Sequence, residues 1–274
     1  MADPLVSAAW LAERLGRPDV QILDGSWFLP AENRSGHAEY LEAHIPGAVF
    51  FDIDANADHS VDLPHMLPTP EAFAGMAGRL GLSRDATVVA YDSFGVRAAA
   101  RVWWTLRAMG FPNVRVLDGG LKAWRAAGLP LESGEVTPAP TTLAPLYDAE
   151  LVRNVADVQA ILDSQSAQVV DARGAARFRG EAPEPRAGLK SRNLPFDTLL
   201  TAEGTLKPAA ELVDLFKAAS VDLDQPIVTT CGSGVTASVL ALGLARIGRE
   251  RIPVYDGSWS EWGGLPGVPI VTGP

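Results

Sequence analysis

Short β-branched runs alternate with stretches of helical spacing along almost the whole chain. Residues 20–23, 87–90 and 114–117 in the first half, and 168–170, 227–229 and 252–254 in the second, read as strands. Two helix starts are marked by Thr69-Pro70-Glu71 and by Pro208-Ala209-Ala210-Glu211, where the fixed φ of proline suits a first turn whose N–H has no intrahelical partner. Strands that alternate with helices in this way predict an α/β fold, a mainly parallel sheet with helices on both faces. Ligands of such sheets gather at the carboxyl ends of the strands.

The pattern occurs twice. Val88-Val89-Ala90-Tyr91-Asp92-Ser93-Phe94-Gly95-Val96 matches Ile227-Val228-Thr229-Thr230-Cys231-Gly232-Ser233-Gly234-Val235, and Leu117-Asp118-Gly119-Gly120 with Trp124 matches Tyr255-Asp256-Gly257-Ser258 with Trp262. Both halves therefore carry strand, loop, helix, strand, Asp-Gly turn and helix in one order. Residues 128–145 are rich in Pro, Thr and Gly without a sustained apolar period. The expected division is an N-terminal domain over 1–127, a linker over 128–147 and a C-terminal domain over 148–274.

Cys231 is the only cysteine among 274 residues, and it opens Cys231-Gly232-Ser233-Gly234-Val235-Thr236-Ala237 between a strand-like and a helix-like stretch. Glycines there let the backbone curl so that successive N–H groups point inward, and the following helix adds its positive end to the same concavity. Such a cup holds an anion, a thiolate included. A lone cysteine is most often a small buried hydrophobe. A core position does not need Cys-Gly-Ser-Gly, whereas a loop of N–H donors does, so Cys231 is read as a nucleophile.

Composition acts mainly by exclusion. A 47% hydrophobic, 20% charged chain of this length has the make-up of a globular protein of about two domains, and no stretch approaches membrane-spanning length. The net charge of −10, with no Lys/Arg block carrying interleaved aromatics, argues against nucleic acid, so an anionic substrate has to be held by a few local arginines. Met1-Ala2-Asp3-Pro4-Leu5 has neither the basic nor the apolar region of a secretion signal, and one cysteine forms no internal disulfide. The expected location is the cytoplasm.

These motifs resemble those of the tandem rhodanese-type sulfurtransferases, and of their mercaptopyruvate-using branch in particular. The resemblance covers nearly the whole chain. It rests on the Cys231 loop, on His44-Ile45-Pro46-Gly47-Ala48 followed by Phe50-Phe51-Asp52, on Pro64-His65-Met66-Leu67-Pro68, on Arg177-Phe178 and on Glu184-Pro185-Arg186. The cysteine loop is highly specific, and His-Ile-Pro-Gly-Ala marks rhodanese folds generally. The resemblance implies two tandem rhodanese-like domains, the first having lost its cysteine, with Asp92 in that place. It also implies an enzyme, without cofactor, that moves sulfur from 3-mercaptopyruvate through a Cys231 persulfide. The acceptor would be a thiol such as thioredoxin or a small molecule, or cyanide, and pyruvate would be released. By the same resemblance Cys231, Ser233 and His44 are catalytic, Arg177 and Arg186 bind the carboxylate and keto groups, and Gly232, Gly234, Val235 and Thr236 form the binding loop.

Plainer roles stay open for several of these residues. Arg177 and Arg186 also read as solvated charges, Ser233 as a helix cap, His44 as a turn residue bonded to backbone, and Asp92 as a loop anchor accepting backbone N–H bonds. The family's acid partner of His44 comes from an Arg-Asp-Ala-Arg-like stretch, and the matching Arg34-Ser35-Gly36-His37 has no carboxylate. A second Gly-His-Ile-Pro-Gly segment, usual before Asn-Leu-Pro, is absent from Leu189-Lys190-Ser191-Arg192-Asn193-Leu194-Pro195, so further residues are expected between Ser191 and Arg192. Two other functions remain, a thiosulfate-preferring enzyme and a persulfide carrier or partner-docking module without turnover. Small neutral Gly232 and Ser233 argue against thiosulfate, a dianion, and Ala237 in place of a phosphate-clamping arginine argues against phosphatase chemistry. No Cys/His/Asp spacing suggests a metal site.

Overall fold

The β-branched runs form the inner strands of two five-stranded, all-parallel sheets. The structure, a computed structural model, describes residues 3–181, 191–266 and 268. In the first sheet Leu5–Val6 (β1), Val20–Asp24 (β2), Val49–Phe50 (β3), Thr87–Tyr91 (β4) and Val114–Leu117 (β5) lie in the order β1-β5-β4-β2-β3. In the second, Val152–Arg153 (β6), Gln168–Asp171 (β7), Arg192–Asn193 (β8), Ile227–Thr230 (β9) and Val254–Tyr255 (β10) lie in the order β6-β10-β9-β7-β8. The repeat in the sequence is thus a repeat of topology.

The edge strands β1, β3, β6 and β8 have two residues each, too few for any periodic signal. The strand expected over 252–254 begins later, at Val254. Pro253 has no N–H to give to the ladder, although its carbonyl accepts from the Thr229 N–H at 3.0 Å. Strand β8 starts at Arg192, directly after Ser191 and opposite Val170, so the chain reaches the sheet edge without the additional residues expected there.

Helices connect or follow the strands. They are Ala8–Ala12 (α1), Gly36–Glu42 (α2), Pro70–Arg79 (α3), Ala98–Ala108 (α4) and Gly120–Ala126 (α5), then Val155–Ser164 (α6), Ala175–Phe178 (α7), Ala209–Ala218 (α8), Ala237–Arg246 (α9) and Ser258–Trp262 (α10). α3 opens as its sequence predicts, with the Thr69 hydroxyl accepting from the Ala72 N–H at 3.2 Å and Pro70 in the first turn. α4 and α9 follow the inner strands β4 and β9 and are buried on nearly every side, which their alanines allow by letting the helix lie close to the sheet.

Contacts divide the chain into one unit of Met1–Asp58, Leu67–Asp148 and Ala202–Leu206 and another of His59–Met66, Ala149–Thr201 and Lys207–Pro274. Each unit therefore takes in a short segment from the other half of the sequence. Ala202–Leu206 is held in the first unit by Leu206 N–H to Asp118 at 2.7 Å and by Lys122 Nζ to the Ala202 carbonyl at 3.0 Å. The proline- and threonine-rich stretch 128–147 is bonded along its length to the same unit, through a His44–Glu132 bridge, Gly134 N–H to Leu41, and Thr141 N–H to Gly78. Among the described residues no helix is long and apolar enough to cross a membrane.

Candidate active site

Strand β9 ends at Thr230, and Cys231, 2% exposed and unpaired, is the first residue beyond it. The backbone turns at Gly234, whose φ of 80° is one that side-chain-bearing residues resist, and enters α9 at Ala237. From behind, the loop is held by three consecutive residues that follow β10. The Ser258 hydroxyl accepts from the Cys231 N–H at 3.3 Å, the Trp259 N–H donates to the Cys231 carbonyl at 3.0 Å, and the N–H and hydroxyl of Ser260 both reach the Gly232 carbonyl at 2.8 Å. Trp259 is covered in turn by Arg173, whose guanidinium carbon lies 4.6 Å from the ring centre and whose Nη2 is 2.8 Å from Asp171, an ion pair with both side chains 1% exposed. On the open side Arg177, from α7, brings its Nη2 to 3.3 Å from where a Cβ on Gly232 would stand.

The matching loop of the first unit reveals what this geometry is suited to hold. One oxygen of the buried Asp92 carboxylate accepts the N–H groups of Phe94 and Gly95 at 2.8 and 2.7 Å, and the other accepts those of Arg97 and Ala99, both at 2.8 Å. Four converging donors on one carboxylate make an anion cradle filled by its own side chain, so Asp92 does act as a loop anchor. Ser233, Gly234, Thr236 and Ser238 stand in the corresponding positions of the second unit. The Ser238 N–H turns to the Val235 carbonyl at 3.3 Å, and the other three have no acceptor among the described residues.

Beside Asp92, Asp24 accepts the Ser26 N–H at 2.8 Å. Burial pushes the Asp24 carboxyl up to about 6; the Ser26 and Tyr91 hydrogen bonds oppose the shift and the Asp92 charge adds to it. The folded chain then keeps a proton that the unfolded chain loses, so this group's contribution to stability is full below about pH 4 and lost as pH rises through about 6. Asp24→Asn is expected to gain on the wild type by on the order of 2 to 3 kcal/mol between those limits. Denaturant unfolding of both proteins at a series of pH values measures it, and parallel curves would mean that Asp24 ionises without cost.

A model of the rhodanese-like domain matches residues 7–127 and again 154–265. The chain belongs to the rhodanese family. Human 3-mercaptopyruvate sulfurtransferase is 46% identical over 270 residues, covering 94% of this chain and 91% of that protein. A mitochondrial thiosulfate/3-mercaptopyruvate sulfurtransferase of Arabidopsis thaliana is 42% identical, covering 98% and 78%. The crystal structure of SseA from Escherichia coli, a 3-mercaptopyruvate sulfotransferase with the rhodanese fold, superposes with a TM-score of 0.88 at 42% identity, over 94% of this chain and 99% of that one.

Within the two rhodanese units, Cys231, Gly232, Ser233, Gly234, Val235 and Thr236 share one loop, with Arg177 beside it. Arg186 lies outside the described residues. The cap role left open for Ser233 is not taken up, since α9 has no side-chain cap and Thr236 stands at its cap position. His44 belongs to the first unit and is fully buried, stacked on Tyr40 with ring centres 4.2 Å apart. Its Nδ1 is 2.8 Å from the Tyr40 carbonyl; a carbonyl only accepts, so Nδ1 carries the hydrogen and Nε2 is left without a partner among the described residues. Sequence reasoning missed Arg173, Ser258, Trp259 and Ser260. For Ser258 a signal existed, because the repeat sets it against Gly120. Among the described residues no group of three or more His, Cys, Asp or Glu could hold a metal ion.

Proposed function

We propose that this protein is a sulfurtransferase that takes sulfur from 3-mercaptopyruvate on Cys231 and passes it to a thiol. The observation that carries the reading is the pair of matched loops: a cradle of N–H donors filled by the Asp92 carboxylate in one unit, and in the other a loop that Cys231 opens, whose Ser233, Gly234 and Thr236 N–H groups have no acceptor among the described residues. The Cys231 thiolate attacks the substrate sulfur, an S–S bond forms, and the C–S bond breaks with its electron pair passing to pyruvate enolate, which is then protonated. The Ser233, Gly234 and Thr236 N–H groups stabilise the charge on the persulfide. A second thiolate then attacks the outer sulfur and regenerates Cys231, which makes the kinetics ping-pong.

Arg177 suits the substrate carboxylate because a guanidinium fork matches it, and its Nη2 already stands beside Gly232. Arg186 takes the second arm of that clamp on the strength of its sequence motif. Ser233, free of helix capping, relays the proton of the substrate thiol, and His44, whose Nε2 has no partner among the described residues, keeps its catalytic assignment on the strength of its sequence motif. Thioredoxin or a small thiol is the assigned acceptor and the cytoplasm the assigned compartment, in keeping with a single unpaired cysteine.

Thiosulfate is the second candidate donor, since the Arabidopsis relative carries both substrates in its name. Pyruvate release from mercaptopyruvate, measured against thiocyanate formation from thiosulfate and cyanide, separates the two. The neutral Gly232 and Ser233 lead us to expect the first activity to exceed the second by about tenfold or more. Equal rates would remove loop charge as the determinant of the donor.

A further inference from the structure

We propose that Ser258 is a positioning residue for Cys231, its buried hydroxyl fixing the cysteine's backbone and with it the direction of the thiol. The proposal rests on the sulfurtransferase reading for its consequence and on geometry alone for its premise. Ser258 has no exposed surface. Its hydroxyl donates to the Tyr255 carbonyl at 2.7 Å, which turns its lone pairs toward the Cys231 N–H and the Thr230 hydroxyl, each 3.3 Å away. One donor and two acceptor sites are all that a serine hydroxyl possesses, and all three are used.

The backbone of Ser258 marks it as unusual. Its φ is 50°, in the left-handed region that disfavours residues with a Cβ. The first unit places glycine at the matching position, Gly120, with φ 54°. The neighbouring backbone contact is the same in both units: the Leu121 N–H meets the Asp92 carbonyl at 2.9 Å, and the Trp259 N–H meets that of Cys231 at 3.0 Å. That contact therefore needs no side chain at Gly120 or Ser258. The strained, hydroxyl-bearing residue stands only behind the loop that carries the thiol.

The hydroxyl keeps the Cys231 N–H turned back toward the protein, while the N–H groups of Ser233, Gly234 and Thr236 have no acceptor among the described residues. Without it a buried amide loses its acceptor, and the peptide between Thr230 and Cys231 is held from one side only, by the Ala172 N–H on the Thr230 carbonyl at 2.8 Å. A sulfur that must sit among three N–H groups is then misaimed, and small misplacements of reacting atoms cost large factors in rate.

The test uses Ser258→Gly and Ser258→Ala in the full chain. Glycine removes the hydroxyl and relieves the backbone; alanine removes only the hydroxyl. Both are expected to lower kcat for pyruvate release about tenfold with KM changed by less than about threefold, and to slow alkylation of Cys231 by iodoacetamide about as much. Ser258→Gly is expected to melt higher than Ser258→Ala, because both lose the hydroxyl and only glycine relieves the left-handed backbone. Wild-type kcat and alkylation rate in Ser258→Gly would overturn the proposal, as would activity losses in the two variants that follow their losses of melting temperature. Slower alkylation in both variants, with no mercaptopyruvate turnover even in the wild type, would uphold the positioning role and refute the sulfurtransferase reading.

Discussion

Cys231→Ser is expected to keep the fold and to lower sulfur transfer from mercaptopyruvate by about 10⁴-fold or more. A hydroxyl occupies less space than a thiol, and the contacts that hold residue 231, through its N–H and its carbonyl, are made by the backbone and survive the change. A serine hydroxyl is scarcely ionised at neutral pH and has no neighbouring base within its own loop, so it cannot take the place of the thiolate. Pyruvate release at saturating substrate gives the rate. Intact mass before and after mercaptopyruvate gives the mechanism, as the wild type should gain the mass of one sulfur atom and the variant nothing. Pyruvate release at more than about 1% of the wild-type rate would remove Cys231 from the reaction.

What could be read from the chain, and what could not, follows from the range of the interactions involved. The inner strands were legible because residues 20–23, 87–90 and 227–229 are β-branched runs that few other environments favour. The Cys231 loop was legible because glycines directly after a strand have a local meaning, and Asp92 because the repeat laid it on the cysteine. The edge strands were not, since two residues of strand are set by the partner they pair with. The placement of residues 59–66 and 202–206 rests on contacts from far along the chain, which no window of sequence contains. The support behind the loop was hidden for the same reason. Ser258 meets Cys231 across 27 residues, and Arg173 reaches Trp259 across a still longer separation. Aligning the two halves for differences as well as likenesses would have exposed Ser258, because a serine set against Gly120 calls for a physical reason.

Gly120→Ala is expected to destabilise the first unit by about 3 to 5 kcal/mol. A Cβ at Gly120 would stand 2.1 Å from the Asp92 carbonyl and 2.8 Å from that of Gly95, both backbone atoms that no rotamer change can remove. The Asp92 carbonyl is further pinned by the Leu121 N–H at 2.9 Å, and the Asp92 carboxylate by four loop N–H groups, so yielding at residue 120 means breaking bonds on both sides of Asp92. To this the left-handed φ of 54° adds roughly 1 kcal/mol for any residue with a Cβ. Hydrogen exchange resolved by segment is the measurement that assigns the loss. Protection should fall across α4, β4 and β5 while β7 and β9 keep theirs. A loss below about 1 kcal/mol, or one spread evenly over both units, would mean that the filled cradle of the first unit yields freely and that Asp92 does not hold it rigid.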